Sequence, residues 1–168
     1  MSAVPAGAVD FLDLYDEAVP QVYGYLMKRV GDRSVAEDLT SETFMAGVAA
    51  LRRGTADLSV GWFVTVARNK LVDHWRRRER EQRSLRLAYD EGDAVVEPWD
   101  VELDVVLAHD VLDRLAPQQR LALTLRYLDG LPVVQVAHVL GRTVHATEAL
   151  LVRSRAAFRR VYEEGSDA

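Results

Sequence analysis

The segment from Trp62 to Arg80 carries side chains suited to binding a nucleic acid. Read at the period of an α-helix, it has an apolar stripe of Val64, Ala67, Leu71 and Trp75. The opposite side carries hydrogen-bonding groups and then cations: Thr65, Asn69, Asp73, Arg76, Arg77 and Arg80. Cations hold phosphates, and polar groups beside them make finer contacts. The pattern also fits a buried helix with a solvated basic end, so both interpretations stay open here.

Three aromatic side chains lie close to this polar face: Trp62, Phe63 and Trp75. Flat rings stack on bases that have left a duplex. We therefore predict that these rings are available to an unpaired strand.

The distribution of charged residues along the chain is more informative than the net charge. The chain has a net charge of −5, yet basic residues outnumber acidic residues between Arg68 and Arg86. From Asp90 to Asp110 there are acids and no Lys or Arg. A chain this acidic binds bulk DNA weakly by itself. If it acts on DNA, we expect a larger partner to bring it there.

Several kinds of chemistry find no support in the sequence. There is no cysteine, which excludes disulfides and cysteine zinc sites. The four histidines, at positions 74, 109, 138 and 145, lack metal-ligand spacing. No phosphate-binding glycine loop and no nucleophile elbow occur. We predict no metal, no cofactor and no enzymatic activity.

Nothing in the sequence indicates a membrane protein. No apolar run approaches the ~20 residues needed to span a bilayer. The start, MSAVPAGAVD, lacks the basic and long apolar parts of a secretory signal. We predict a cytoplasmic protein without membrane insertion.

Helical periodicity extends over most of the chain and predicts an all-α fold. A first helix spans Asp10 to Val30, with a kink or break at Pro20. A second helix starts at Ser34, which forms a capping box with Glu37. Asp57 or Ser59 caps the basic helix that follows. Acidic residues together with Gly92 and Pro98 then indicate a linker.

We therefore predict two small helical domains, residues 1–83 and 102–168, joined by an acidic linker over residues 84–101. The outward face of the second helix mixes acids with Met45 and Val48. Such a face suits a partner with a basic, partly apolar surface. An ordinary amphipathic helix remains the alternative.

The second domain contains a helix-turn-helix pattern. Pro117 starts a helix that runs to Leu128, and a short helix follows from Val133 to Leu140. Gly141 ends it, and Thr143 caps a last helix. The outward side chains of its first turns are suited to reading base edges in a major groove, with Glu148 accepting from a cytosine amino group. A packing helix in a bundle is the alternative.

Three segments together resemble the extracytoplasmic-function (ECF) group of bacterial RNA polymerase sigma factors. AEDLTSETFMAGV at 36–48 is similar to the family's clamp-binding stretch, and WFVTVARNKLVDHWRRRER at 62–80 to its promoter-melting helix. Residues 115–160 are similar to its helix-turn-helix that reads the −35 element. Order and spacing agree over nearly the whole chain. The resemblance implies a region-2-like bundle, a region-4-like helix-turn-helix and a role in promoter-specific initiation.

The resemblance also implies roles for particular residues. Those facing the core polymerase would be Glu37, Asp38, Leu39, Glu42 and Phe44. Those holding the −10 element would be Arg52, Arg53, Asp57, Trp62, Arg68, Asn69, Lys70, Asp73, Arg76 and Arg77. Those reading the −35 element would be Arg142, Thr143, Val144, His145, Glu148, Ala149, Arg153 and Arg155.

The implied partners are core RNA polymerase, through its clamp helices and flap, promoter DNA, and an anti-sigma factor. The sequence departs from the family pattern at Glu148, which makes the −35-reading face less cationic. Two other functions remain as alternatives: a helix-turn-helix regulator that binds DNA without polymerase, and a scaffold that binds only protein.

Overall fold

The computed structural model describes residues 6–54, 57–85 and 105–166. All regular elements in these ranges are helical, which confirms the predicted all-α class. They are α1 Ala6–Val30, α2 Arg33–Arg53, α3 Val60–Leu85, α4 Val105–Arg114, α5 Pro117–Leu123, α6 Val133–Leu140 and α7 Val144–Ser166. A π-helical turn, Thr124–Leu128, continues α5.

The chain divides into two compact units between Leu71 and Val72, inside α3. We call them unit 1 and unit 2. Residues 86–101 of the predicted linker lie outside the described residues. The predicted domain bounds, 1–83 and 102–168, therefore stay a prediction.

Unit 1 is built on a row of buried side chains in α1. Ala18, Val22, Leu26 and Val30 follow one another at a spacing of four and are all buried. This spacing forms one stripe on a helix, and the stripe packs against α2. The helix continues through Pro20, so a break there is wrong, and the alternative of a kink stays a prediction. A proline costs a helix ~3 kcal/mol, and each buried Val or Leu contributes about 1.5–3 kcal/mol, so the stripe outweighs Pro20.

The start of α2 differs from the prediction. Asp32, in extended conformation, is the N-cap, and its carboxylate accepts from the backbone N–H of Val35 at 3.0 Å. Gly31 ends α1 with a φ of 67°, so Asp32 is the first residue free to cap. Ser34 already lies inside α2, and Glu37 accepts from Arg33 instead of completing a capping box.

The start of α3 follows one of the two predicted caps. Ser59 Oγ accepts from the backbone N–H of Trp62 at 3.1 Å, which confirms Ser59. The row that α3 buries is Phe63, Ala67, Leu71 and Trp75. This row differs from the predicted stripe at its first position, because Val64 is only half-buried.

Unit 2 is organised around α7, which packs against α4, α5 and α6. The apolar side chains of its inward face are Leu150, Leu151, Ala157 and Phe158, all buried. Pro117 begins α5, Gly141 ends α6 with a φ of 64°, and Thr143 Oγ1 accepts from the N–H of Ala146. These three predicted helix ends are confirmed.

The π-helical turn was not predicted. The N–H of Asp129 bonds the carbonyl of Thr124 at 3.0 Å, which is one residue wider than an α-helical bond. The wider turn changes the register of the side chains after Thr124. As a result Leu125 is buried but Leu128 is exposed.

Candidate nucleic-acid and partner interfaces

The acidic face of α2 is exposed to solvent in unit 1. Glu37 and Asp38 are exposed and Glu42 is half-buried. Glu42 lies 4.0 Å from the ammonium of Lys70 on α3, and Glu37 accepts from Arg33 at 2.7 Å. Two of these carboxylates, Glu37 and Glu42, therefore lie beside a cation, and all three still reach solvent.

Two of the five predicted polymerase-facing residues lie under this surface. Leu39 is 2% exposed and Phe44 is 7% exposed. The ring of Phe44 stacks on Phe63 with centroids 4.5 Å apart. Both side chains pack beneath the acidic face and support α2. Their effect on a partner that binds this face is therefore indirect.

An apolar depression adjoins the acidic face between α1 and α2. Its volume is about 450 Å³, and Tyr15, Phe44, Met45 and Val48 are among the residues that line it. Met45 is 71% exposed. A large exposed thioether beside carboxylates matches the mixed acidic and apolar face that the sequence predicts.

The end of α2 carries two of the cations predicted for the −10 element. Arg52 and Arg53 occupy the last turn of α2 and are exposed, and Asp57, which precedes α3, is also exposed. Gly54, with a φ of 62°, ends the helix between them.

The polar face of α3 begins in unit 1. Asn69 is exposed, and Trp62, Arg68 and Lys70 are half-buried. Farther along the same helix, in unit 2, Asp73, Arg76 and Arg77 are exposed. Arg76 also donates from Nη2 to the carbonyl of Val139 at 3.1 Å, so it has a structural contact as well as an exposed surface.

Two of the three aromatic rings predicted to stack on bases are buried. Phe63 is 0% exposed and contacts the rings of Phe44 and Phe11. Trp75 is 5% exposed, with the guanidinium of Arg120 4.6 Å from its ring centroid. The prediction for Phe63 and Trp75 is wrong, because both belong to the row of side chains, four residues apart, that α3 buries. Phe63 is the first of this row and Trp75 is the last. Trp62 remains half-buried.

Arg120 is a buried cation that the sequence did not reveal. It is 5% exposed and forms an ion pair with Asp113, whose side chain is half exposed. Burial lowers the pKa of the Arg120 guanidinium, and the charge of Asp113 partly offsets this shift. Nothing in the local sequence distinguishes Arg120 from a surface arginine, because its burial comes from the tertiary fold.

The helix-turn-helix of unit 2 consists of α6, the turn at Gly141 and α7. Thr143, Val144, His145 and Glu148 are exposed, and Ala149 and Arg153 are half-buried. Thr147 between them is fully buried, and Thr143 caps the helix. The start of α7 thus presents a polar and apolar face of the kind that reads base edges.

Two further arginines of this region are held by neutral side chains. Arg142 donates from Nη2 to Oε1 of Gln118 at 2.7 Å, and Arg155 donates from Nη1 to the hydroxyl of Tyr127 at 3.1 Å. Both acceptors belong to α5 and its π-helical turn.

In the described ranges no helix is long and apolar enough to cross a membrane. Across the same ranges, no three His, Cys, Asp or Glu side chains group in a way that could hold a metal ion.

Family models match both parts of the chain. The model of Sigma-70 region 2 matches residues 14–81, and that of Sigma-70 region 4 matches residues 106–158. The first match covers most of α1, all of α2 and most of α3, and the second runs from α4 through α6 into α7.

Curated relatives carry matching names. The chain is 39% identical over 159 residues to the ECF RNA polymerase sigma factor BldN of Streptomyces coelicolor, covering 89% of this chain and 59% of BldN. It is 30% identical over 149 residues to the ECF RNA polymerase sigma factor SigC of Mycobacterium tuberculosis, covering 86% of this chain and 79% of SigC. The chain therefore spans less than two thirds of BldN and about four fifths of SigC.

A solved structure has the same fold. It is the sigma factor RpoE of Bartonella quintana, in complex with the anti-sigma factor NepR. The match has a TM-score of 0.55 at 21% identity and covers 92% of this chain and 97% of the other. The two region matches and the relatives lead to one assignment: this chain belongs to the ECF group of RNA polymerase sigma factors.

Proposed function

We propose that this chain binds core RNA polymerase and directs promoter-specific initiation, by reading a −35 duplex and by melting and holding the −10 element. The observation that carries the proposal is the exposed start of α7, where Val144, His145 and Glu148 reach solvent while Thr147 is buried. A helix presented in this way after a tight turn is the arrangement that enters a major groove.

The acidic face of α2 is the proposed contact with the polymerase clamp helices. Glu37, Asp38 and Glu42 supply charge, and Met45 supplies an exposed apolar contact. Leu39 and Phe44 support this surface from below. The flap of the polymerase is the proposed contact of unit 2, where Leu128 and Val134 are exposed apolar groups.

The −10 element is assigned to α3, to the last turn of α2 and to Asp57 between them. Arg52, Arg53 and Arg77 are exposed cations for phosphates, and Asn69 is an exposed amide. Asp57 and Trp62 are the candidates for holding a flipped base. Unstacking a base costs a few kcal/mol, and stacking on an aromatic ring returns ~1–3 kcal/mol per base.

The net charge of −5 argues that the chain does not bind DNA tightly by itself. When one polymerase holds both units, binding of the first unit to the promoter makes binding of the second intramolecular. The second unit then meets its DNA element at a high effective concentration, so two weak contacts give tight overall binding. We propose that residues 84–101 form the acidic linker between domains 1–83 and 102–168.

The proposal assigns no catalytic step and no cofactor to this chain, and it places the chain in the bacterial cytoplasm with the polymerase. An anti-sigma factor is a further proposed partner, supported by the complex in which the RpoE structure was solved.

Transcription with purified core polymerase tests the proposal. Fragmented genomic DNA is transcribed with and without the chain, and the products are sequenced. We expect start sites that need the chain and share one −35 and one −10 sequence. Tight duplex binding by the chain alone, without polymerase-dependent products, would instead identify an independent helix-turn-helix regulator.

A further inference from the structure

Two arginines beside the −35-reading face are bonded by side chains distant in sequence. Arg142 donates to Gln118, 24 positions away, at 2.7 Å. Arg155 donates to Tyr127, 28 positions away, at 3.1 Å. Both acceptors lie on α5 and its π-helical turn, which pack beneath α6 and α7. One supporting element therefore contacts two arginines, one before α7 and one within it.

We propose that Gln118 and Tyr127 are positioning residues, which aim Arg142 and Arg155 at the promoter backbone before DNA binds. This inference rests on the proposed function, because it concerns the approach of a −35 duplex to α7. Neither acceptor belongs to the set of residues predicted to touch DNA.

The bonds leave the arginines able to bind phosphate. A guanidinium has five N–H donors in a planar fork, and the bonds to Gln118 and Tyr127 each use one of its two terminal nitrogens. Arg142 and Arg155 are both half-buried, so part of each side chain still reaches solvent. The remaining donors can therefore meet a phosphate while the acceptor keeps its bond.

The chemistry of the acceptors matters. An amide oxygen and a phenol oxygen orient a guanidinium without cancelling its charge. In contrast, the carboxylate of Asp113 pairs with the buried Arg120, where charge compensation stabilises the fold. A carboxylate at position 118 would hold Arg142 as firmly but would weaken its attraction to phosphate.

The backbone beside Arg142 is also fixed. Its N–H donates to the carbonyl of Ala137 at 3.0 Å, and the neighbouring Thr143 caps α7. Tyr127 lies in the π-helical turn, a feature that is frequent at functional sites. Ordering one flexible side chain costs an amount equivalent to roughly three- to tenfold in affinity. Prior ordering removes that cost when DNA binds.

The test uses the full chain assembled with core polymerase, on a promoter identified by transcript sequencing. Promoter affinity is measured at several salt concentrations for Gln118→Ala and Tyr127→Phe. The control is Gln119→Ala, at the next position on α5. We expect each test variant to lower affinity roughly three- to tenfold and the control to leave it unchanged, with similar melting temperatures for all.

A double-mutant cycle separates positioning from a general structural effect. In an Arg142→Ala background, Gln118→Ala should have no further effect, and the same holds for Tyr127→Phe with Arg155→Ala. Gln118→Glu should fold normally yet reduce the salt dependence of binding, by up to about 0.9 in the logarithmic slope for one lost phosphate contact.

Two results would overturn the inference: unchanged affinity for both Gln118→Ala and Tyr127→Phe, or equal losses with and without the partner arginine. These results leave the proposed function standing if the unmodified chain still forms a specific promoter complex. In contrast, the proposed function itself is contradicted if the unmodified chain forms no specific promoter complex.

Discussion

Gly47 of α2 faces the ring of Phe63 of α3 so closely that no side chain fits between them. A Cβ added to Gly47 would lie 2.4 Å from Cε1 and 2.7 Å from Cζ of Phe63. Phe63 is fully buried and stacks on Phe44, so its ring has little room to move. The glycine at position 47 is needed for this close approach of α2 to α3.

Gly47→Ala is therefore expected to destabilise unit 1. Overpacking a core typically costs ~1–3 kcal/mol, and the better helix propensity of alanine returns ~1 kcal/mol. We expect a net loss of up to about 2 kcal/mol, measured by chemical denaturation followed by circular dichroism. Gly24→Ala is the matched control, because nothing lies within 4 Å of its added Cβ in α1. It should stabilise the chain by about 0.5–1 kcal/mol. Equal stabilisation by both variants would contradict this packing.

The burial of Phe63 leads to a second prediction. Phe63→Ala should cost ~3–5 kcal/mol of stability, because it empties the centre of the α1–α2–α3 core. Trp62→Ala, at the half-buried neighbour, should cost only about 1–2 kcal/mol. It should nevertheless reduce promoter opening by the assembled holoenzyme. Denaturation and permanganate footprinting of the unpaired strand measure the two effects. If the Trp62→Ala holoenzyme opens the promoter as fully as the unmodified one, Trp62 does not contact the −10 element.

A third prediction concerns the ion pair of Arg120. Asp113→Asn keeps the shape of the side chain but removes the charge that compensates a buried guanidinium. Asp113 is half exposed, which reduces the cost below that of a fully buried pair, so we expect a loss of ~1–3 kcal/mol. Asp110→Asn, at an exposed position of the same helix, is the control and should change stability by less than about 0.5 kcal/mol. Thermal unfolding of the two variants distinguishes a structural pair from a surface contact.

The parts of the fold that depend on local chemistry could be predicted from the sequence. Gly141 ends α6 and Thr143 caps α7 because a left-handed glycine and a short hydroxyl side chain act within a few residues. The start of α2 shows the limit of this reasoning. Asp32 and Ser34 are both residue types that cap helices well. Because α1 ends at Gly31, Asp32 is the residue that caps α2.

Features set by distant contacts could not be predicted. The spacing of Phe63, Ala67, Leu71 and Trp75 was visible in the sequence, but aromatic side chains beside a basic face also suit base stacking. Only the packing of α3 shows that Phe63 and Trp75 are buried. The bond from Arg142 to Gln118 joins residues 24 positions apart, and no periodic pattern encodes it.

A fourth prediction concerns base selectivity. Glu148 is exposed in the second turn of α7, and a carboxylate there can accept from a cytosine amino group. Glu148→Ala should relax selectivity at one −35 position, by ~1–3 kcal/mol, and leave the other positions unchanged. Sequencing the transcripts from a randomised −35 library measures the preference at every position. An unchanged profile would remove Glu148 from base readout.

The central claim is that α2 holds the polymerase whereas the basic face of α3 acts on DNA. Asp38→Arg and Arg77→Glu test it best, because both positions are exposed and neither substitution should disturb folding. Arg76 is less suitable for this purpose, since it also bonds the carbonyl of Val139.

The deciding measurement compares core-polymerase affinity with promoter opening for these two variants. We expect Asp38→Arg to weaken polymerase binding roughly tenfold or more. Arg77→Glu should bind polymerase normally and open the promoter poorly. If both variants lose polymerase binding equally, or if Arg77→Glu opens the promoter as well as the unmodified chain, this division of roles is contradicted.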